Sequence, residues 1–198
     1  YPNSVEQAHV AQEFACEPEQ VEIIAHVLDE RDFLRTDEAK IFTDRTGLLS
    51  ADAICVYPVP IDRATAKGLP QVIKIFGALK KWGKKVRLVV VASNYERKNH
   101  AQRVEDWEAL REWSCLGPDE VLWTHHEPGM EKGANPLFVR DLMEIANVFP
   151  FPSNHETFGF TLAEAALTGQ FLVLNMSLPM QFEVMGNGQR AFPFGGFH

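Results

Sequence analysis

Cysteine is scarce in this chain: three in 198 residues, at Cys16, Cys55 and Cys115. Odd in number and far apart, they form neither a disulfide framework nor a clustered metal site, which fits a reducing, cytoplasmic compartment. No apolar run reaches the ~18 residues of a membrane span, and no signal-peptide pattern is present. Positive charge is in the minority, with 19 Lys and Arg against 27 Asp and Glu and a net charge of −8. That argues against a general nucleic-acid or bilayer binder, because no basic surplus neutralises phosphates. A local basic cluster still suffices for a small phosphate ligand. Asp-x-Asp pairs are absent, so a metal-bound diphosphate has no obvious ligand set. There is no internal repeat and no low-complexity segment.

Apolar residues, by contrast, are ample at 45%, enough for a core. The length predicts one large domain, or a domain and a fraction. The chain opens at Tyr1 without Met and stops at His198 after an apolar, Gly-rich stretch; the expectation is a piece of a longer protein. Val5 to Phe14 has a helical pattern with Ser4 as N-cap, and Val21 to Leu28 reads as a strand. Asp29 to Ser50 is charged and weakly periodic, like a linker with a little helix. From Ala51 the order becomes regular. Strands are expected at Ala53–Tyr57, Val86–Val91, Glu120–Thr124, Asn147–Phe151 and Phe171–Asn175. Between them lie helical patterns, one carrying Leu69, Val72, Ile73, Phe76 and Leu79 at helical spacing, others spanning Arg97–Trp113 and Pro136–Ala146. Strict alternation of this kind predicts an α/β, doubly wound parallel sheet. The domain boundary is placed between residues 50 and 51. Phe192, Phe194 and Phe197 are expected on an exposed apolar face.

The most informative stretch is Ser153 to Ala165. Glu156 and Glu164 stand eight positions apart with a Gly-containing turn between them. The strand before and the helix after put Glu156 in a loop at a strand's carboxyl end and Glu164 about one turn into the helix. Open α/β sheets bind ligands there, and the helix start favours an anion. Carboxylates beside an anion site are tolerable if they grip hydroxyl groups. A nucleotide sugar carries both a diphosphate and diols.

Glu156-Thr157-Phe158-Gly159-Phe160 through Glu164-Ala165 resembles the Glu-x₇-Glu signature of the family 4 retaining glycosyltransferases. These enzymes have the GT-B fold of two facing Rossmann-like domains. Asp141 to Asn147 ahead of the motif strand supports the likeness, as do Tyr57-Pro58 and Lys67-Gly68 at the first junction. The resemblance implies the C-terminal, donor-binding half, with residues 1–50 left from the N-terminal domain and interdomain linker. It further implies transfer of a sugar from a nucleotide-diphosphate donor to an unknown acceptor with retained configuration, and no metal or other cofactor. The isolated chain is expected to be inactive, and any membrane contact to belong to the missing domain.

Roles follow residue by residue from the resemblance. Glu164 binds the donor ribose and Glu156 the donor sugar. Lys67 and Arg63 clamp the diphosphate. Gly159 permits the tight turn, and Phe160, Thr161 and Leu162 open the helix over the diphosphate, Thr161 and Leu162 through backbone N–H groups. The Phe158 and Phe160 side chains read as packing. Thr124 and its loop border the nucleobase through the backbone. One departure stands out: the family's Arg at the end of the first strand is Pro60 or Ile61 here, leaving Arg63 as the substitute. That departure keeps an alternative open, a non-catalytic nucleotide-sugar-binding or interaction module of the same fold. His125-His126-Glu127 resembles a metal cluster, but adjacent histidines on a strand end point to opposite sides, which argues against a shared metal.

Overall fold

The computed structural model describes residues 11–17, 36–93, 100–154, 159–175, 177 and 191–194. The chain divides into two compact units, Tyr1–Phe33 and Leu34–His198. In the first, residues 11–13 are helical, and the Cys16 N–H donates to the Ala11 carbonyl at 3.0 Å. Ser4 and the expected strand Val21–Leu28 lie outside the described residues.

The second unit opens with α1 (Asp37–Thr46). The linker-like composition hid this helix, yet its signals are conventional. The Thr36 hydroxyl accepts from the Ala39 N–H, Asp37 and Glu38 favour the positive helix start, and Gly47 closes the helix at φ 59°. Ala39, Phe42 and Leu48 are buried in the same core as the sheet, and Phe42 meets Phe138 edge-on at 5.5 Å. Residues 36–50 therefore fold with the sheet.

There follow β1 (Ala53–Pro60), α2 (Leu69–Lys81), β2 (Val86–Ser93), α3 (His100–Trp113), β3 (Val121–Trp123), α4 (Pro136–Ile145), β4 (Val148–Phe151), α5 (Phe160–Leu167), β5 (Phe171–Asn175) and β6 (Ala191–Phe194). The strands form two sheets, ordered β1-β2-β3 and β4-β5-β6. Every pair is parallel, as the alternation predicted. Phe192 and Phe194 lie on β6, opposite Val173 and Asn175 of β5; Phe197 is outside the described residues. Leu69, Val72, Ile73 and Phe76 of α2 are wholly buried, each burial worth about 1.5–3 kcal/mol.

The two sheets meet along β1 and β4 without forming a ladder, and proline explains why. Ile54 turns both its backbone groups toward Asn147: its N–H donates to the Asn147 side chain at 2.9 Å, and its carbonyl accepts from the Asn147 N–H at 3.0 Å. Since backbone direction alternates along a strand, Pro58 and Pro60 also face this seam, and they have no N–H to give. On β4 the Asn147 carbonyl accepts from Phe171 of β5, so Pro150 faces the seam too. Asn147 ties the lower end, and from Pro58 upward β1 has no donor to offer the seam. Right-handed crossovers then place α2 and α3 on one face and α4 and α5 on the other. The winding reverses between β1 and β4, and a crevice opens at their carboxyl ends.

Candidate functional site

Two strand–helix junctions build the crevice. The first follows β1. A 3-10 turn, Ile61–Arg63, sends the Ile61 side chain into the core, where it is 1% exposed. The same turn delivers Arg63 to the surface of the crevice. Arg63 and Lys67 line one cleft of 210 Å³. The Lys67 N–H donates to the Arg63 carbonyl at 2.9 Å, and the Tyr57 hydroxyl donates to the Lys67 carbonyl at 2.5 Å. The segment from Arg63 to Lys67 is thus fixed to its own strand.

It is also fixed to the second junction. Gly68 caps α2 at φ 82°, and a Cβ there would lie 2.6 Å from the Pro152 Cγ and 2.9 Å from its carbonyl oxygen. Only glycine fits so close an approach at positive φ. Beside it the Asn154 N–H donates to the Ala66 carbonyl at 3.2 Å, and the Asn175 side-chain amide donates to the Ser153 carbonyl at 3.0 Å. The loops after β1 and β4 are one packed unit.

From the second junction Phe160 and Thr161 line the same cleft as Arg63 and Lys67. Gly159 is the N-cap of α5 at φ 79°, with no side-chain cap. Thr161, at the second helical position, has no intrahelical acceptor for its N–H. Phe160 was expected to pack; it is 75% exposed and forms part of the cleft wall. Leu162 is wholly buried, and its N–H donates to the Gly159 carbonyl at 2.9 Å, so that amide is already used.

Glu164 lines a second, larger cavity of 560 Å³ with Arg140, Met143, Leu167 and Pro136. Pro58 is common to both spaces. Partial burial of the Glu164 carboxyl raises its pKa, although the residue as a whole is exposed. Across the wall, Arg140 holds Asp141, which is completely buried. Burial alone would raise the Asp141 pKa; the Arg140 hydrogen bond and those from Thr36 outweigh it and hold the carboxyl below its usual range. The Thr36 N–H and hydroxyl donate to Asp141 at 2.9 and 3.0 Å. Sequence reading missed this pair, though adjacent Arg-Asp on a half-apolar helix was a visible signal.

The remaining expected residues divide. Glu156 lies outside the described residues, with His155, Thr157 and Phe158. Thr124 is fully buried at the start of a 3-10 turn, Thr124–His126, and lines neither cavity. That turn corrects the picture of the two histidines. Their rings do not diverge, as on a strand end, but meet edge-on at 4.2 Å. Burial first, then the His126 charge, push His125 down to about 4 against the pull of Glu108. Glu127 turns away to pair with Arg45 at 2.5 Å. Among the described residues no cluster of three His, Cys, Asp or Glu side chains is arranged to hold a metal ion. Nor is any described helix long and apolar enough to cross a membrane.

No protein-family model and no curated protein matches the chain. Solved structures do. A glycosyltransferase from Rickettsia africae superposes with a TM-score of 0.59 at 15% identity, covering 100% of this chain and 48% of that one. WaaG, a glycosyltransferase involved in lipopolysaccharide biosynthesis, gives 0.54 at 18% identity over 94% of this chain and 46% of its own. An α,α-trehalose-phosphate synthase (UDP-forming) from Burkholderia vietnamiensis gives 0.57 at 13% identity, covering 83% and 37%. Identity this low shows the fold: the chain has the Rossmann-like α/β architecture of GT-B glycosyltransferases. It spans about half the length, or less, of the structures it matches.

Proposed function

We propose that this chain is the C-terminal, donor-binding domain of a retaining, metal-independent glycosyltransferase of the family 4 type. The observation that carries the proposal is the convergence of Arg63, Lys67 and Thr161 on one cleft, next to the cavity that holds Glu164. The chemistry of the two spaces is complementary. The cleft offers cationic side chains and a helix-start amide to a diphosphate. The cavity offers a carboxylate to the ribose diol, and mostly apolar walls to a base. In the full-length protein the departing diphosphate is stabilised by Lys67 and Arg63 where its charge develops. Glu156, eight residues before Glu164, takes the donor sugar's hydroxyls. The structure bears on the departure at Pro60-Ile61. Ile61 is a core residue and Arg63, two residues on, lines the cleft with Lys67, which supports Arg63 as the second cation in altered spacing.

Acceptor binding belongs to the opposite wall of a GT-B cleft, so the isolated chain should bind donor without turning it over. Calorimetric titration with a nucleoside diphosphate and its matching nucleotide sugar tests the site. Glu164→Ala should weaken both ligands about tenfold or more, the worth of a charge-assisted hydrogen bond. Glu156→Ala should spare the diphosphate and abolish the gain from the sugar. If both variants bind like the wild type, the donor-site reading fails. The non-catalytic alternative differs in its prediction for the full-length protein: donor binding survives, and no sugar reaches any acceptor.

A further inference from the structure

The charge of this acidic chain is not evenly spread. Residues 63–104 hold 11 of its 19 Lys and Arg and only one of its 27 acids, Glu96. Part of that excess serves the cleft. The rest gathers along α2 and the turn into β2, where Lys74 in the middle of the helix and Lys81, Lys84 and Lys85 at its far end are all exposed. The nearby acids are engaged elsewhere: Glu120 with Lys80 at 2.5 Å, Asp119 with Arg87 at 3.9 Å, Glu112 with Arg111 at 3.4 Å, and Asp52 with the Lys85 backbone N–H at 2.8 Å. Among the described residues, the four lysines have no ion-pair partner. Lysines at a helix C-terminus suit the dipole, which accounts for one or two of them and not for what lies between.

Between them stand two exposed tryptophans. Trp82, capping α2, is 78% exposed, and Trp113, ending α3, is 72% exposed. The other two, Trp107 and Trp123, are buried and stacked at 5.9 Å. The exposed pair shares one end of the helical layer. Gly77 of α2 abuts Ser114 just beyond α3, and the Lys74 ammonium sits 5.9 Å over the Trp113 ring. Trp82 is five residues past Gly77, about 7.5 Å along the helix. Two exposed indoles, one beneath the Lys74 ammonium and one between Lys81 and Lys84 in the chain, match one environment above others. Indole settles at the headgroup level of a bilayer, and lysine spans the same layer with its stem in apolar surroundings and its charge at the lipid phosphates.

We propose that this patch docks the protein on an anionic membrane surface. The contact lies on this chain itself, not on a missing domain, where the family resemblance had placed it. Lys67 and the cleft are at the opposite end of the 13-residue α2 from Lys81 and Trp82, about 20 Å from them, so docking through that end leaves the donor site open. A single patch gives reversible, salt-sensitive attachment, not insertion. The inference is independent of the donor-site reading.

The test is co-sedimentation of the 198-residue chain with phosphatidylcholine vesicles, with and without phosphatidylserine, while tryptophan fluorescence is recorded. Binding should require phosphatidylserine, shift the emission to the blue, and fall as salt rises. Each lysine contributes about fivefold, so Lys81→Glu, Lys84→Glu and Lys85→Glu together should weaken binding about a hundredfold or more. Trp82→Ala with Trp113→Ala should abolish the blue shift and weaken binding too. These positions are solvent-facing, and circular dichroism checks that each variant folds. Equal sedimentation with neutral vesicles overturns the proposal, as does absence of binding to either vesicle or indifference to the lysine reversals. Capture on heparin without vesicle binding also overturns it, and assigns the patch to an acidic macromolecule.

Discussion

Among the helices of this domain whose starts are described, two kinds of start occur, and the difference sets apart those at the crevice. α1 and α4 begin with polar side-chain caps: Thr36 accepts from the Ala39 N–H and Asn135 from the Leu137 N–H. α2 and α5 begin with glycines at φ 82° and 79° and have no side-chain cap. The two uncapped starts are the two that frame the crevice. They also divide the work. At α2 the backbone donors are consumed locally: the Leu69 N–H goes to Ala64 and the Gln71 N–H to Gly68, while Pro70 has none. That junction contributes Arg63 and Lys67 instead. At α5 there is no cation in the first turn, and the junction offers the Thr161 amide, with Glu164 one turn inside. Each junction supplies what the other lacks.

The contrast can be broken hardest at Gly68. Gly68→Ala would place a methyl group against the Pro152 backbone at positive φ, and should cost about 2–4 kcal/mol. Gly83 has a matching φ of 80° with nothing within 4 Å of a built Cβ. Gly83→Ala should therefore cost only the backbone strain, about 1 kcal/mol. Urea titration of both variants checks the difference. Equal losses would mean that the contact between the two junctions contributes little.

Next in size are the cations. Lys67→Ala and Arg63→Ala should each weaken nucleoside diphosphate binding about tenfold at low salt, with a smaller loss at high salt. Isothermal titration at two ionic strengths measures this. An effect at Lys67 alone would show that Arg63 does not replace the missing strand-end arginine.

The smaller effects concern pH. The folded-state pKa of Glu164 is raised. Below the ordinary carboxylate range the folded and unfolded states both hold the proton, and Glu164→Gln should melt like the wild type. As pH rises through the raised pKa, the folded wild type must carry a desolvated charge that glutamine avoids. A small rise in melting temperature for Glu164→Gln, present at neutral pH and absent in acid, is expected from thermal scans. His125 has the opposite sense of linkage. Its folded pKa is about 4 against an ordinary 6.5, so the unfolded state takes up its proton first. The wild type should lose stability between those values as pH falls, and a non-titrating replacement such as His125→Asn should flatten that part of the profile.

Much of the sheet was legible because parallel strands buried on both faces read as apolar runs, as in Val86 to Val91. α1 was not: of its ten residues only Ala39, Phe42 and Thr43 are buried, too few to give a stripe. Its caps carried the signal that periodicity lacked. β6 was hidden by Pro193 and by phenylalanines that suit a surface patch as well as a strand. At the crevice, the family resemblance pointed to Lys67, Thr161 and Glu164; Lys67 and Thr161 line the cleft and Glu164 the adjoining cavity. Sequence could not decide Arg63, because that depends on which way Ile61 turns. Nor could it show that Leu162 had spent its amide or that Thr124 would be fully buried, since both follow from local hydrogen bonding and packing.

The central claim is that the two uncapped junctions form one anion site. Backbone amide NMR, recorded while a nucleoside diphosphate is titrated into the 198-residue chain, tests it most directly. Thr161 and the segment 63–68 should shift together along one saturable curve, while the capped amides Ala39 and Leu137 stay still. Saturable shifts that leave Thr161 and residues 63–68 unmoved would contradict the account, and so would the absence of any saturable shift.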